Sequence, residues 1–177
     1  VNTNGGSDTV TGDGNNNVLN AGANDDTLNG GGGNDTLNGG TGNDSINGNA
    51  GNDTIIYAMG GGADNVNGGA DADTLSILTN VIADDQLDVI VNAAGVVTSI
   101  EGGSVTNVEN INVNLGQGSD RISYAGSAIG VTVNLAVPVT ATGLASLANT
   151  ENVTGTAQAD TLTGNNLANN FNGGAGA

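Results

Sequence analysis

Residues 30–38 read GGGGNDTLN, and residues 39–47 repeat the same pattern as GGTGNDSIN. Each nine-residue unit has Asp at its sixth position and one apolar residue at its eighth, Leu37 in the first unit and Ile46 in the second. A short fixed period points to a repeat architecture, because a unit this small buries its apolar residue only by stacking on its neighbours. These two units therefore predict a stack of glycine-rich turns and short strands.

The same frame continues well beyond these two units. Acidic or amide residues follow it at nine-residue steps, with one two-residue insertion after Ile55: Asp8, Asn17, Asp26, Asp35, Asp44, Asp53, Asp64 and Asp73. An apolar residue stands two positions after each of them: Val10, Leu19, Leu28, Leu37, Ile46, Ile55, Val66 and Leu75. We expect each unit to form a six-residue turn and a three-residue strand, with these apolar side chains as the core.

The composition indicates that a cation stabilises this fold. The 177 residues include 32 glycines but only two Tyr and one Phe, so large side chains cannot supply a conventional core. Eighteen acidic residues and the single base Arg121 give a net charge of −17, and a compact state would carry that repulsion. Short Asp side chains beside glycine suit turns that direct oxygens at a hard cation such as Ca²⁺. The chain has no Cys and no His, which excludes disulfides and argues against zinc and copper.

The same composition excludes several classes of partner. One basic residue cannot make the phosphate contacts that nucleic acid requires, and an anionic membrane surface is disfavoured for the same reason. No apolar run of about 18 residues exists, so we expect no transmembrane segment. No charged segment followed by an apolar one opens the chain, so no cleavable signal peptide is predicted.

The pattern changes near residue 76 and returns near residue 155. Longer alternating runs, for example at 108–115, predict ordinary strands, and residues 116–122 form a single degenerate copy of the unit. The frame then resumes with Asp160 and Asn169. We predict a repeat block at 1–75, a longer-stranded solenoid spacer at 76–154, and a second, truncated repeat block at 155–177. Because the last unit stops one residue short of the next acid, we expect a longer protein or a last coil that stacks on another copy.

The unit Gly-Gly-x-Gly-x-Asp-x-(apolar)-x at residues 30–47 resembles the repeat of the RTX, or haemolysin-type, calcium-binding family. The likeness is strong over residues 3–75 and again over 155–177. It implies an all-β fold, a right-handed parallel β-roll or β-solenoid with calcium-binding Gly/Asp turns, here interrupted by a longer-stranded β region. In such a roll two units form one 18-residue coil, so units two apart stack on the same side.

The resemblance also implies two rows of calcium ligands. One row is Asp8, Asp26, Asp44 and Asp64, and the other is Asn17, Asp35, Asp53 and Asp73. Three sites between successive turns in each row make about six Ca²⁺ ions, which would reduce the net charge from −17 to −5. Asn17 supplies no charge, so we expect its site to be weak or empty. Asp160 has no partner 18 residues further on, so we expect its site to be half-built.

Backbone oxygens of the turns would complete each site. Ca²⁺ takes six to eight oxygen ligands in tolerant geometry, and glycine leaves carbonyls unscreened. The turn glycines that match the family pattern best are Gly31, Gly33, Gly40 and Gly42. Because stacking creates these sites, we expect the metal-free chain to be largely disordered. Acids outside the frame are expected to be solvated surface residues: Asp13, Asp25, Asp71, Asp84, Asp85 and Asp88.

The sequence therefore predicts a calcium-binding structural module without enzymatic activity. By resemblance it would belong to a bacterial protein that leaves the cell unfolded by type I secretion and folds outside or at the cell surface. Neither end of the repeat carries a polar cap, so we expect a homo-oligomer or a head-to-tail assembly, as in a surface layer, filament or adhesin stalk.

Alternative functions have weaker support in the sequence. Some parallel β-helix enzymes resemble this class of fold and use an arginine base on polysaccharides, and Arg121 keeps open a polysaccharide-binding or polysaccharide-modifying module. No further Lys or Arg could hold a polyanionic sugar, and aromatic sugar platforms are missing. An ice-binding surface is disfavoured because its rank of Thr and Asn is broken at Gly32 and Ala50.

Overall fold

The structure is a computed structural model that describes residues 1–79, 84–136 and 138–176. Within these ranges the regular structure consists of strands, which confirms the predicted all-β fold class. The chain divides into two compact units: the first comprises Val1–Leu78 and Glu101–Ile111, and the second comprises Thr79–Ile100 and Asn112–Ala177.

Nineteen strands are present in the described part of the chain. They are β1 Thr9–Thr11, β2 Val18–Ala23, β3 Thr27–Gly32, β4 Thr36–Thr41, β5 Ser45–Ala50, β6 Thr54–Ala58, β7 Asn65–Ala70, β8 Thr74–Leu78, β9 Gln86–Val91, β10 Val97–Ile100, β11 Gly103–Thr106, β12 Asn110–Asn114, β13 Arg121–Ser123, β14 Thr132–Asn134, β15 Thr140–Ala141, β16 Ser146–Ala148, β17 Asn152–Thr154, β18 Thr161–Thr163 and β19 Asn170–Asn172.

The first unit is a parallel β-roll with two sheets. One sheet has the order β1-β3-β5-β7-β11 and the other the order β2-β4-β6-β8, and all these neighbours are parallel. Leu28 is in register with Ile46, 18 residues further on, and Ile46 is in register with Val66, 20 residues further on. The predicted stacking of every second unit, and one coil widened by the two-residue insertion, are therefore confirmed.

The strands of the roll are longer than the sequence predicts. Strands β2, β3, β4, β5 and β7 each have six residues instead of three. The three-residue prediction is wrong because parallel pairing continues past the Asn after the apolar position, for example from Gly22 to Gly40 and from Ala23 to Thr41. Half of each expected turn is thus hydrogen-bonded backbone, and the true turn is the short segment just before each acid.

The predicted core is confirmed. The apolar residue two positions after each in-frame acid or amide is buried in every unit from Val10 to Leu75. Each rung contributes one such side chain, so the interior is narrow and the buried apolar area per residue is small. Packing of this size leaves room for a second source of stability.

The second unit combines parallel coils with two antiparallel pairs. Strands β9, β13, β17 and β19 are parallel neighbours, β12 pairs with β16, and β14 pairs with β18. Strands β10 and β15 pair antiparallel with β9 and β14. The register aligns Leu87, Ile122, Val153 and Phe171 in one column, at separations that are not multiples of nine. The first three are buried, whereas Phe171 is 37% exposed.

Helices of the kind that cross a bilayer were sought over the same described ranges, and none was found.

Candidate metal centre

The in-frame acids are linked to one another through their own backbone. In the first row, the N–H groups of Asp8, Asp26 and Asp44 donate to Oδ1 of Asp26, Asp44 and Asp64, at 2.7, 2.9 and 2.9 Å. In the second row, those of Asn17, Asp35 and Asp53 donate to Oδ1 of Asp35, Asp53 and Asp73, at 2.7, 2.8 and 2.8 Å. One carboxylate oxygen per acid therefore connects successive coils, and both rows lie within the first unit.

The other carboxylate oxygen of these acids is buried without a partner. This Oδ2 atom makes no hydrogen bond within the described structure in Asp8, Asp26, Asp35, Asp44, Asp53 and Asp73. Burying an unpaired carboxylate costs on the order of several kcal/mol even after the protein relaxes. Six such atoms in two lines create a strong requirement for positive charge at these places.

The free oxygens point at the backbone of the glycine-rich turns. A Cβ on Gly48 would collide with Oδ2 of Asp53 and with the carbonyl oxygen of Gly68 in the next coil. A Cβ on Gly30 would likewise meet Oδ2 of Asp35 and the carbonyl oxygen of Gly48. Glycine is thus required at these positions because a carboxylate and a carbonyl oxygen converge there, and such convergent oxygens are what Ca²⁺ uses.

The turns that carry free oxygens share one backbone conformation, which we term the open turn. In the turn before Asp44, Gly40 has a φ of 104° and Gly42 a φ of 131°, which glycine adopts most easily. The residues four and two positions before the acid also have positive φ in the turns of Asp8, Asp26, Asp35, Asp53, Asp64, Asp73 and Asp120. The predicted glycines Gly31, Gly33, Gly40 and Gly42 all occupy these positions.

Three other turns are closed by the in-frame side chain itself. The N–H of the residue four positions earlier donates to Oδ1 of Asn17 at 2.8 Å, to Oδ2 of Asp160 at 2.8 Å and to Oδ1 of Asn169 at 2.9 Å. The donors are Asp13, Thr156 and Asn165, none of which has positive φ. We term these closed turns, and their in-frame oxygens are already used by the protein.

Burial dominates the electrostatics of the rows. It raises the pKa of Asp44, Asp53 and Asp73 above the usual range, and neighbouring carboxylates in the rows add to the shift. It raises the pKa of Asp64 to about 6, against a smaller lowering by the hydrogen bond from the Asp44 N–H. The charged form of each acid is therefore disfavoured unless a cation is close.

The rows extend to acids that the sequence reasoning missed. The N–H of Asp73 donates to Oε2 of Glu109 at 2.8 Å, and in the second unit the N–H of Asp120 donates to Oε2 of Glu151 at 2.9 Å. Asp85 was predicted to be a solvated surface acid, which is wrong: its Oδ2 is buried without a partner and its N–H donates to Oδ1 of Asp120. The prediction is confirmed for the other off-frame acids, all exposed: Asp13, Asp25, Asp71, Asp84 and Asp88.

A signal in the sequence could have identified these acids. Each stands two positions before a buried apolar residue, as the repeat acids do: Leu87, Ile111, Ile122 and Val153 follow Asp85, Glu109, Asp120 and Glu151. The spacing between them is irregular, so a search for period nine passes over them. The apolar partner is the more general marker of a row position.

The donor set of these sites matches calcium better than other metals. Over the described ranges no group of three or more His, Cys, Asp or Glu side chains is placed to hold a metal ion. An ion in a row would therefore have about two carboxylates and would take its remaining ligands from backbone carbonyls and water. Oxygen ligands in flexible number and geometry suit Ca²⁺, whereas Mg²⁺ needs a stricter octahedron.

The fold and the rows define a class of protein, the calcium-binding parallel β-roll. The model of the RTX calcium-binding nonapeptide repeat family matches this chain in four copies, at residues 2–37, 29–59, 60–76 and 148–177. These matches cover more than half of the chain, which therefore belongs to that family and is a calcium-binding structural module. No curated protein matches the chain.

Proposed function

We propose that calcium bound between successive open turns drives the folding of this chain. The observation that carries the proposal is the line of buried Oδ2 atoms without partners. Each is a charge that the fold brings out of water and leaves uncompensated, so the apo fold is penalised at every rung. A dication at each rung removes the penalty and joins two coils through oxygens of both.

About six ions fill the two rows in this proposal, one between each pair of successive in-frame residues. The first row offers three equivalent intervals, from Asp8 to Asp64. In the second row the interval between Asn17 and Asp35 is weaker, because Asn17 is neutral and its Oδ1 already accepts the Asp13 N–H. Asp160 is a weak ligand for a similar reason, since Thr156 donates to both of its oxygens.

Circular dichroism during a calcium titration, with reversal by EDTA, tests the proposal. We expect a β-sheet spectrum in calcium and a disordered spectrum in EDTA, with a cooperative transition because each ion connects two coils. Magnesium at equal concentration is the control and should leave the chain largely unfolded. An equally β-structured chain in EDTA would contradict the proposal.

We further propose that the module is exported by a bacterium and folds outside the cell, where calcium is abundant. Calcium-dependent folding supports this, because a chain that stays unfolded before export folds only after it. Immunoblots of cell and culture-supernatant fractions from the source bacterium test it, and retention of the protein in the cytosol would contradict it.

We propose a structural and non-catalytic role for the same reason that the rows suit calcium: their acids are held in place. A polysaccharide-handling module has less support, because two of the three aromatic residues, Tyr57 and Tyr124, are fully buried and cannot form a sugar platform. Binding of acidic and neutral polysaccharides in a glycan array tests this. Binding above the background of an unrelated calcium-loaded protein would contradict the structural role.

Self-association is a second proposed property, supported by the last coil of the second unit. Phe171 continues the buried column of Ile122 and Val153, yet it is 37% exposed, and β19 stands at the end of its sheet order. A second copy of the chain would cover this face with its strand β1, also at a sheet end. Light scattering with and without calcium tests the association, and a strict monomer at high calcium and high protein concentration would contradict it.

A further inference from the structure

The segments Asn107–Asn110 and Asn149–Asn152 share a sequence and a geometry. Both read Asn-x-Glu-Asn, and both are followed by a buried apolar residue. The first Asn of each has positive φ, 49° in Asn107 and 54° in Asn149. The nonapeptide matches do not extend to residues 77–147, so Glu109 lies outside them.

Glu109 takes the place that an in-frame Asp has one coil earlier. The N–H of Asp53 donates to Asp73 at 2.8 Å, and the N–H of Asp73 donates to Glu109 at 2.8 Å. In the return direction, the N–H of Thr74 donates to the carbonyl of Asp53 at 2.9 Å, and that of Asn110 to the carbonyl of Asp73 at 3.0 Å. Both hydrogen bonds that join one rung to the next are therefore present.

The oxygens beside this pair also repeat those of the preceding interval. Asp73 is 0% exposed, and its Oδ2 has no partner. A Cβ on Gly68 would collide with this Oδ2 and with the carbonyl oxygen of Asn107, just as a Cβ on Gly48 would collide with Oδ2 of Asp53 and the Gly68 carbonyl. Asn107 thus supplies the carbonyl that Gly68 supplies one coil earlier.

The second unit contains the same arrangement independently. The N–H of Asp120 donates to Glu151 at 2.9 Å, and the N–H of Asn152 donates to the carbonyl of Asp120 at 2.8 Å. Asp120 is 0% exposed, its Oδ2 is buried without a partner, and its turn is open. Glu151 is half-buried, so its carboxylate lies partly out of water beside that atom.

We propose that each Asn-x-Glu-Asn segment completes a further calcium site, Glu109 with Asp73 and Glu151 with Asp120. The longer Glu side chain supplies the second carboxylate where the chain has left the nine-residue frame, and each segment thereby continues a calcium row beyond the repeat. The proposal rests on the proposed function, because it uses the same open-turn oxygen.

Counting bound calcium on the whole chain tests the proposal. Equilibrium dialysis with radioactive calcium would compare the wild type with Glu109→Gln, Glu151→Gln and the double variant. Gln retains the oxygen that accepts the N–H of Asp73 or Asp120, so the folds should persist, and circular dichroism at saturating calcium checks this. Asp88→Asn is the matched control, because it removes one exposed acid outside both rows.

We expect a loss of one bound calcium per chain in each single variant, a loss of two in the double variant and no loss in Asp88→Asn. If one single variant does not fold, the other still decides, since the two sites lie in different units. Unchanged stoichiometry in folded variants, together with a loss in Asp53→Asn, would overturn this inference and leave the proposed function intact. A wild-type chain that binds no calcium would overturn both.

Discussion

The backbone N–H of Asp53 donates to Oδ1 of Asp73, 20 residues further along the chain, at 2.8 Å. Both side chains are almost fully buried, and Oδ2 of each makes no hydrogen bond within the described structure. Each acid in the row thus does two things: one oxygen holds the preceding coil and the other is left for a cation. The two roles can be separated by substitution, because Asn keeps one oxygen and loses the charge.

Asp53→Asn should weaken calcium-dependent folding. The hydrogen bond from the Asp35 N–H can be kept, but a charged ligand is lost from two neighbouring intervals. We expect the calcium concentration for half-folding to rise about tenfold, ~1.4 kcal/mol. Circular dichroism during a calcium titration measures it. Asp25→Asn is the control, since Asp25 also accepts a backbone N–H, from Asn43 at 2.8 Å, but is exposed. Equal shifts in both variants would contradict a ligand role.

Asp160→Asn and Asp44→Asn should differ in the quantity that they change. Asp160 lies in a closed turn, so its replacement should disturb the hydrogen bonds from Thr156 and lower stability by about 1 kcal/mol without loss of bound calcium. Asp44 lies in an open turn, so its replacement should lower the number of bound ions. Calcium dialysis and thermal unfolding measure the two effects. Loss of an ion in Asp160→Asn would show that the closed turn does bind calcium.

Gly40→Ala should destabilise the calcium-loaded protein. Gly40 has a φ of 104°, and a Cβ there would collide with the carbonyl oxygen of Gly22 in the preceding coil. We expect a loss of roughly 1–3 kcal/mol in the free energy of unfolding. Thermal unfolding in saturating calcium measures it. Gly14→Ala is the control, because its Cβ would meet no atom within 4 Å, and the same loss there would refute the steric explanation.

Acidic pH should favour the protonated metal-free chain and oppose calcium. The pKa of Asp64 rises from 3.8 in the unfolded chain to about 6 in the fold, so the folded state holds an extra proton between these values. Its contribution to apo stability is fully present below about pH 4 and is lost as the pH rises through about 6, a change of about 3 kcal/mol. Calcium must displace that proton, so its affinity for the interval between Asp44 and Asp64 should fall below about pH 6.

Calcium titrations at about pH 5 and about pH 7 measure this effect. Asp64→Asn is the informative variant, because it removes the group that titrates and should flatten the pH dependence while weakening binding at neutral pH. An unchanged pH dependence in Asp64→Asn would assign the effect to other acids of the rows.

Much of the first unit could be predicted from the sequence. The nine-residue frame from Asp8 to Asp73 determines the coil length, the buried column that includes Leu28 and Ile46, and the two rows, because side-chain direction and stacking repeat with the period. The insertion after Ile55 could be read as one wider coil for the same reason. Strand length was not predicted, since pairing of glycine backbone leaves no mark on the apolar pattern.

Whether a turn is open or closed depends on atoms that only the fold brings together. Asn17 and Asp160 stand in the same frame as Asp44, yet their oxygens accept an N–H four residues earlier, because Asp13 and Thr156 do not adopt the positive φ of Gly40. The extension of the rows to Glu109 and Glu151 also needed the structure, since hydrogen bonds across 36 and 31 residues follow no period. The sequence by itself determined the repeat and its affinity for calcium. Tertiary structure alone decided which carboxylates are buried without a partner, because that depends on which coils stack.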